Sequence, residues 1–363
     1  MIEQAPPGAR RRSRARLVVQ LMVSLVLVLV IFYFLLKKID LGQVWTAITD
    51  MTWLELILLG LLAVWNLCTY AFVWMAVTPA PGLSFGRAMV MTQSSTAAAN
   101  TLPGGGAIGI GMTYTMLGSW GYSRSKSTTA VLVSGVWNSF IKLGMPVLAL
   151  ALVALQGNAT GGRVTAALAG IGGLVTAIVV FALMLRSEQV ARRVGELAGQ
   201  AASWVRRLLR RPPVHGWELA TTKFRNRTVD LLERGWVPIT VASLVSHLSL
   251  YLVLLVALRD VGVSNAEVGW AEVLAAFAFA RLATAIPFTP GGLGVVEVVL
   301  IATLVAAGGE REQVAAAVLV YRALTWGLPI LVGVGTYLWW RRQSLLTATH
   351  DGTATVGSQP PPG

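Results

Sequence analysis

Long apolar stretches constrain the fold of this chain more than any other feature of its sequence. About twenty apolar residues in a helix cross the roughly 30 Å hydrocarbon core of a bilayer while satisfying their own backbone hydrogen bonds. Six stretches are long enough, at 17–36, 53–77, 128–155, 164–185, 236–258 and 314–340. The content of 55% hydrophobic and 12% charged residues excludes a soluble two-domain enzyme. We therefore predict an all-α polytopic membrane protein with six full transmembrane helices.

The chain begins with a basic segment that leads directly into the first apolar stretch. Residues 1–16 contain five arginines, and the stretch 17–36 is too long for the hydrophobic region of a signal peptide and lacks a small-residue cleavage site after it. We expect a cytoplasmic tail at 1–16 and a transmembrane domain at 17–342. The Gly-, Thr- and Pro-rich segment 343–363 is expected to be a disordered cytoplasmic tail.

Two further apolar regions, 84–118 and 270–307, are each interrupted by a Pro/Gly cluster. The clusters are Leu102-Pro103-Gly104-Gly105-Gly106 and Pro287-Phe288-Thr289-Pro290-Gly291-Gly292-Leu293-Gly294. Neither half of either region is long enough for a comfortable crossing, and non-helical backbone at membrane depth must be buried in protein or line a wet cavity. The sequence predicts two broken helical segments, either as re-entrant hairpins or as pairs of full spans. Counted once each with the six full helices, they make eight membrane segments.

The distribution of basic residues indicates the orientation. With both broken regions returning to the side on which they enter, 21 of the 29 Lys and Arg residues lie on one face. The positive-inside rule makes this face cytoplasmic and places both termini there, in a bacterial plasma membrane. The net charge of +13 is then mostly a topology signal, and we expect no nucleic-acid partner.

The two halves of the chain have the same order of elements. Each contains a broken segment with Pro-Gly-Gly, a polar connection and a long helix with Gly-x-Pro; the Pro-Gly-Gly elements are 187 residues apart and the Gly-x-Pro elements 183. The predicted topology makes these repeats, at about 84–155 and 270–340, inverted, a construction typical of secondary transporters. The alternative is that the small residues only permit close helix packing.

The segment 186–235 is the one sizeable polar loop. Apolar residues from Val190 to Leu208 recur at three- and four-residue spacing, with most arginines off that stripe, and Pro212 and Pro213 end the pattern. This predicts an amphipathic helix at the membrane surface, in contact with anionic lipid headgroups. A solvated basic loop that only fixes the topology is the alternative.

Four ionisable residues stand out within the predicted membrane segments, where the cost of a charge indicates a functional role: Lys142, Arg281, Glu297 and Arg322. Glu297 either belongs to a binding site or forms a buried salt bridge with Arg322 or Arg281. When the two Gly-x-Pro elements are aligned, the positions of Lys142 and Arg322 differ by about one helical turn. We expect these two cations, one from each repeat, to flank a shared cavity.

The second Pro/Gly cluster supplies further candidate contacts. Thr289 is suited to an N-cap and the proline after it to the first helical position, which would leave free N–H groups for an anion. Helical spacing would also place Gly291, Gly294 and Glu297 on one face. The predicted substrate-binding residues in this region are Pro290, Gly291, Gly292, Gly294 and Glu297.

The first cluster offers backbone groups but no acid. Its predicted substrate-binding residues are Pro103, Gly104, Gly105 and Gly106. Cys68 is the single cysteine, and the three histidines lie far apart with no carboxylate at metal-ligand spacing, so we expect neither a metal nor a cofactor. His247 is expected to be a hydrogen-bonded packing residue.

The stretch 286–297, together with Tyr321-Arg322 and Gly327, resembles the second signature of a known family. This is the lysylphosphatidylglycerol synthase transmembrane-region family, the flippase-like domain of the multiple peptide resistance factor. The resemblance covers about 19–342 and implies a flippase-like membrane protein with matching positions Pro290, Gly291, Gly292, Gly294, Glu297 and Arg322. Where relatives often have an acidic residue and an arginine after the first proline, this chain has Gly104 to Gly111 and then Met112-Thr113-Tyr114.

The sequence favours transport of a phospholipid or a polyprenyl-linked lipid, whose anionic headgroup would pass between the two broken helices. The chain ends soon after its last predicted span, so we do not expect the aminoacyl-transferase activity of the larger relatives. Two alternatives stay open: a membrane-embedded transferase acting on a lipid, and a non-catalytic scaffold of a cell-envelope synthesis complex. The oligomeric state is not predicted.

Overall fold

The computed structural model describes residues 40–78, 81–102, 104–155, 161–208, 217–284 and 289–356. Every regular element in these ranges is helical, as predicted. The elements are α1 (Leu41–Thr49), α2 (Trp53–Val77), α3 (Phe85–Thr101), α4 (Gly105–Ser119), α5 (Arg124–Leu155), α6 (Gly161–Arg186), α7 (Glu188–Leu208), α8 (Trp217–Asp260), α9 (Trp270–Ala283), a 3-10 turn (Pro290–Gly292), α10 (Val295–Ala306), α11 (Arg311–Arg322), a π-helical turn (Ala323–Gly327) and α12 (Leu328–Val356).

Four of the predicted spans are helices long and apolar enough to cross a membrane. They are Trp53–Val77, Arg124–Leu155, Gly235–Asp260 and Arg311–Ser344. The predicted span 164–185 lies within the continuous helix α6, and the predicted span 17–36 lies outside the described residues. The chain is a polytopic, all-helical membrane protein.

Large apolar side chains are exposed on the exterior to an extent that a soluble bundle does not show, and several polar side chains are buried. Large apolar residues of α2 face outward, and Leu61 is 62% exposed. Polar residues such as Gln93 and Ser94 of α3 and His247 of α8 are buried. Lipid tails solvate an apolar exterior, whereas a polar side chain in the interior needs a protein partner or a wet cavity.

Helices α2 and α8 form the antiparallel centre of the bundle. The Asn66 side chain in α2 donates from Nδ2 to Ser249 Oγ (2.6 Å) and to the Ser246 carbonyl (3.3 Å). Val77, at the end of α2, shares an apolar cluster with Ile239, near the start of the membrane part of α8. His247 is hydrogen-bonded within α8, with its Nδ1 2.9 Å from the Ser243 carbonyl oxygen, as expected for a packing residue.

The first broken region is an antiparallel hairpin of α3 and α4. A Cβ built on Gly109 of α4 would lie 2.7 Å from the Ser95 carbonyl oxygen of α3, so the two backbones are in close contact. At the base of the hairpin, the Tyr122 hydroxyl donates to the Gly82 carbonyl. With 17 and 15 residues, the two helices are about 26 and 22 Å long, shorter than the roughly 30 Å hydrocarbon core.

The second broken region is an antiparallel hairpin of α9 and α10. At its tip, a Cβ on Gly292 would lie 3.3 Å from Thr284 Cγ2, and at its base a Cβ on Gly308 would lie 2.9 Å from the Glu267 carbonyl oxygen. Its helices of 14 and 12 residues are about 21 and 18 Å long. Both broken regions therefore return to the end of the bundle from which they start.

The hairpins start from opposite ends of the bundle. The first follows α2 after a short connection at 78–84, and the second follows α8 after a short connection at 261–269. Because α2 and α8 are antiparallel, these connections lie at opposite ends. Helix α12 then packs closely on α3: Ser94 and Thr336 share a hydrogen bond of 3.0 Å, and a Cβ on Gly333 would lie 2.6 Å from Ala97 Cβ.

The basic segment 186–235 is largely helical. Helix α7 packs against the first part of α8, and Arg225 Nη2 donates to the Arg186 carbonyl at 3.3 Å. With 44 residues, α8 is about 66 Å long, more than a bilayer core needs, so its first part extends beyond the membrane span. Pro212 and Pro213 lie outside the described residues.

Part of the predicted C-terminal tail lies among the described residues. Helix α12 continues to Val356, so residues 343–356 are helical, and 357–363 lie outside the described residues.

Candidate functional site

The tip of the first hairpin forms where the chain cannot remain helical. Leu102 is extended (φ −106°, ψ 142°), as expected for a residue before proline, because the proline ring disfavours the helical region there. Gly104 is left-handed (φ 66°), and α4 begins at Gly105. Pro103 itself lies outside the described residues, so its predicted contact with a substrate stays a prediction.

The tip of the second hairpin corrects part of the sequence prediction. Gly291, Gly292 and Gly294 all have positive φ angles (59°, 71° and 84°), and α10 begins only at Val295. Gly291 and Gly294 are thus not helical and do not continue the face of Glu297. The predicted onset of a long helix at Gly291 was wrong, because three glycines with positive φ make a turn here. Binding of an anion at Gly291 and Gly292 stays a prediction.

Thr289 also differs from its predicted role. It precedes the 3-10 turn in an extended conformation, but its hydroxyl forms no cap hydrogen bond and is buried without a partner. Pro290 begins this three-residue turn instead of a long helix. The helix dipole of α10 therefore starts one turn later than the Thr-Pro sequence indicated.

The tips of the two hairpins meet at Gly291. A Cβ built on this glycine would lie 2.5 Å from Trp326 Nε1 and 2.7 Å from the Asn100 side-chain oxygen. Asn100 belongs to the last turn of α3, and Trp326 lies in the π-helical turn before α12. Both broken regions and the final helix therefore converge at one point.

Proline explains the π-helical turn that positions Trp326. Pro329 has no N–H for the carbonyl four residues before it, and its ring would clash with that carbonyl in a regular helix. The Leu328 N–H instead donates to the Ala323 carbonyl, five residues earlier, which widens the helix locally. Trp326 and Thr325 in this turn both line the cavity described below.

Glu297 and Arg322 form a salt bridge inside the bundle. Arg322 Nε donates to Glu297 Oε1 at 2.7 Å, and Glu297 is 1% exposed. Arg322 Nη2 also donates to the Gly291 carbonyl (3.3 Å), and its guanidinium carbon lies 5.8 Å from the centre of the Trp326 ring. Of the two partners considered for Glu297, Arg322 is the one that it contacts, so the pair anchors the second hairpin tip to α11.

A cavity of about 520 Å³ lies where the two hairpins converge. Its lining includes Lys142, Arg281 and Arg322, as the predicted juxtaposition of cations required. Lys142 Nζ donates to Thr284 Oγ1 at 3.3 Å, and Thr284 Oγ1 donates to the Arg281 carbonyl at 2.6 Å. The volume falls within the roughly 300 to 1,000 Å³ of small-molecule sites.

The predicted binding residues divide into two groups. Those that line the cavity are Gly106, Lys142, Arg281, Gly291 and Arg322. Gly104, Gly105, Pro290, Gly292 and Gly294 shape the two tips without lining it, and Glu297 acts behind Arg322. The glycines outside the lining serve the turns and the packing of the hairpins.

Other lining residues were not predicted as contacts, although the sequence carries a signal for them. Thr92, Thr96 and Asn100 recur every four residues along α3, and Asn66 and Tyr70 have the same spacing in α2. A repeat of four places side chains on one helical face. Polar residues at this spacing in apolar helices could have identified the face toward the cavity.

Several polar atoms of the lining have unused hydrogen-bonding capacity. Arg281 Nε and Trp326 Nε1 are buried donors without a partner, and Thr92 Oγ1 and Asn138 Oδ1 are also without one. Buried polar groups are normally satisfied, so this concentration at one cavity indicates room for a polar ligand or water.

The sequence was also compared with known proteins. The profile of the lysylphosphatidylglycerol synthase TM region matches residues 21–333, and no curated protein matches the chain significantly. The match spans both hairpins, the salt bridge and every residue that lines the cavity. The chain therefore belongs to the lysylphosphatidylglycerol synthase transmembrane-region family.

Proposed function

We propose that this protein is a lipid flippase that moves an anionic headgroup through the cavity between the two hairpins. The observation that carries the proposal is the convergence of Lys142, Arg281 and Arg322 on one cavity inside a membrane bundle. Charges at membrane depth are costly and are retained mainly where they bind or move a substrate. The lipid is a phospholipid or a polyprenyl-linked lipid of the bacterial plasma membrane, and both termini of the protein are cytoplasmic.

The path of the lipid follows from the wall of the cavity. Gly106 and Ile110 of α4 line the cavity and are both exposed, Ile110 by 48%. A Cβ on Gly106 would meet no atom within 4 Å. A headgroup can thus enter between α4 and its neighbours while its hydrocarbon chains stay in the bilayer.

The proposed mechanism uses the two hairpins as an inverted repeat. They start from opposite ends of the bundle and meet at Gly291, next to the salt bridge between Glu297 and Arg322. Movement of one tip at a time would open the cavity to one leaflet at a time, as in transporters built from inverted repeats. Arg322 would exchange Glu297 for the headgroup during this movement.

The basic helix α7 contributes a second lipid contact to the proposal. Its buried face packs on α8, while Leu197 and Trp204 are exposed, Trp204 by 66%. Arg193 and Arg207 are also exposed. Apolar and basic side chains side by side fit the headgroup layer of a membrane that contains anionic lipids.

Translocation in vesicles tests the flippase proposal. The purified protein is reconstituted with headgroup-labelled phosphatidylglycerol, and the label that becomes accessible in the opposite leaflet is followed over time. We expect Glu297→Gln and Arg322→Ala to slow transfer at least about tenfold, since each loses a charged hydrogen bond worth about 1.5–3 kcal/mol. Unchanged transfer in both variants would contradict the assigned site, and no transfer above empty vesicles would contradict the function.

The entry route is tested by a matched pair of glycines on α4. Gly106 lines the cavity, whereas Gly111 does not, and a Cβ on either would meet no atom within 4 Å. We expect Gly106→Leu to slow transfer and Gly111→Leu to leave it unchanged, with both proteins melting near the wild-type temperature. Equal transfer by the two variants would exclude entry beside Gly106.

The proposal assigns no covalent chemistry to the protein. Lipid mass spectrometry of cells that overproduce it is expected to show no new lipid species. A new product that disappears in the Arg322→Ala variant would instead favour a membrane-embedded transferase.

A further inference from the structure

The charges at the cavity do not balance. Among the described residues that line it, Lys142, Arg281 and Arg322 are cationic and none is an Asp or Glu. Glu297 compensates Arg322 from behind at 2.7 Å. Lys142 Nζ donates to a neutral hydroxyl, that of Thr284, and Arg281 Nε has no partner. Two positive charges at the cavity thus face no carboxylate.

An excess of positive charge is costly inside a membrane protein. A ligand that binds there is therefore expected to carry negative charge. A charge at membrane depth without a counter-charge is costly, and a ligand of opposite charge removes that cost. A phosphodiester carries one negative charge, so it would neutralise only one of the two positive charges at the cavity. A phosphomonoester carries close to two negative charges at neutral pH and three strong acceptor oxygens.

The donors at the cavity fit the same chemistry. Arg281 Nε and Trp326 Nε1 are buried donors without partners, and the Lys142 ammonium has N–H groups beyond the one directed at Thr284. Charge-assisted hydrogen bonds to phosphate oxygens are among the strongest in proteins. Donors from α5, α9 and the π-helical turn thus surround one volume.

We propose that the cavity selects a phosphomonoester dianion, carried on a lipid headgroup, over a phosphodiester. This rests on the proposed function and narrows its substrate to lipids that end in a phosphate group. Free inorganic phosphate has the same chemistry without the lipid chains. Ile110, an apolar residue of the cavity wall, is 48% exposed, and this favours the lipid as the source.

Binding to the purified full-length protein in detergent tests the selectivity at pH 7, where the phosphomonoester carries close to two negative charges. The probes are short-chain phosphatidic acid, phosphatidylglycerol and phosphatidylcholine, and inorganic phosphate. We expect phosphatidic acid to bind at least about tenfold more tightly than phosphatidylglycerol, and phosphatidylcholine most weakly. Equal affinities for phosphatidic acid and phosphatidylglycerol would overturn the inference. Inorganic phosphate binding as tightly as phosphatidic acid would overturn the lipid source.

Charge variants provide an independent readout. Lys142→Met and Arg281→Met each reduce the excess, so the ratio of the two lipid affinities should fall about tenfold, whereas Glu297→Gln should preserve or increase it. Arg341→Met, at an exposed cation outside the cavity, is the control and should not change the ratio. The ratio is measured on one preparation, so a partly folded sample does not alter it.

An unchanged ratio in both Lys142→Met and Arg281→Met would overturn the assignment. The two proposals fail separately. Transfer of phosphatidylglycerol without any preference for phosphatidic acid refutes the selectivity and keeps the flippase, whereas a strong preference without transfer refutes the flippase and keeps the binding site.

Discussion

At the scale of single residues, the salt bridge between Glu297 and Arg322 combines structural and functional demands. Glu297 is 1% exposed, its Oε1 is bonded to Arg322 and its Oε2 has no partner. The carboxylate of Glu297 thus uses only one of its two oxygens to hold the Arg322 guanidinium in this buried site. Under the proposed function, Arg322 would also contact a ligand in the cavity.

The energy of this pair is measurable by a double-mutant cycle. Glu297→Gln and Arg322→Met each remove one charge and leave the other buried, which we expect to cost roughly 3 kcal/mol of folding free energy. The variant with both substitutions removes both charges and should melt above either single variant. Thermal unfolding in detergent measures the order of stability of the three variants. Strictly additive losses of stability would show that the two side chains are not coupled.

Gly291 provides a second test at this scale. Its φ of 59° is unfavourable for any side chain, and a Cβ would also press on Trp326 and Asn100. Gly121 has a φ of 84° but open space around its Cβ position, so it isolates the backbone cost of about 1–2 kcal/mol. We expect Gly291→Ala to lower the melting temperature more than Gly121→Ala; equal losses would indicate that the hairpin tips are loosely packed.

At the scale of elements, each hairpin depends on glycines that face its other helix. In the first hairpin, Gly105 and Gly109 of α4 contact the backbone carbonyls of α3, whereas Gly106 between them faces open space. In a lipid environment the burial of apolar surface does not drive helices together, so close packing of the two backbones stabilises the hairpin instead. The spacing of four residues fixes which glycines pack and which border the cavity.

Alanine substitutions separate these roles. Gly105→Ala and Gly109→Ala should each cost about 1–3 kcal/mol through overpacking, because the facing carbonyl belongs to the backbone and cannot rotate away. Gly106→Ala should be neutral or stabilising by up to about 1 kcal/mol, from the higher helix propensity of alanine. Melting temperatures of the three variants in detergent provide the comparison, and similar losses in all three would contradict the packing.

At the scale of the whole molecule, the bases of the two hairpins lie at opposite ends of the bundle. The central antiparallel pair, α2 and α8, places the connection 78–84 at one end and 261–269 at the other. Among the described residues, most cations outside the predicted membrane segments lie at the end that holds the connection 78–84, which the positive-inside rule predicts to be cytoplasmic. Under the proposed function, access from each side of the membrane would be controlled by a different hairpin.

Cysteine labelling tests this topology. In a Cys68→Ser background, Ser84→Cys marks the base of the first hairpin and Ala266→Cys that of the second; both positions are exposed. In intact spheroplasts we expect a membrane-impermeant maleimide to label only the Ala266→Cys variant. Labelling of the Ser84→Cys variant should require permeabilised cells, and labelling of both variants under one condition would contradict the arrangement.

Much of the architecture could be predicted because membrane helices have a strong local signal. Four of the predicted spans and both interruptions at Pro-Gly-Gly follow from apolar length and backbone chemistry. The predicted start of the helix at the second tip was wrong. Thr289 and Pro290 are residues typical of a helix start, but three of the glycines after them adopt positive φ angles. Local propensity does not decide how a glycine-rich turn closes.

The sequence by itself determined that the chain enters the bilayer and where its helices break, and it singled out Lys142, Arg281, Glu297 and Arg322 as candidates, because each of these depends on neighbouring residues alone. Only the tertiary structure decided that Glu297 contacts Arg322 and not Arg281, and that Asn100 and Trp326 converge on Gly291. It also separated Gly106, which borders the cavity, from Gly105, which packs on α3. Such contacts join residues far apart in the chain, and the packing of whole helices selects them.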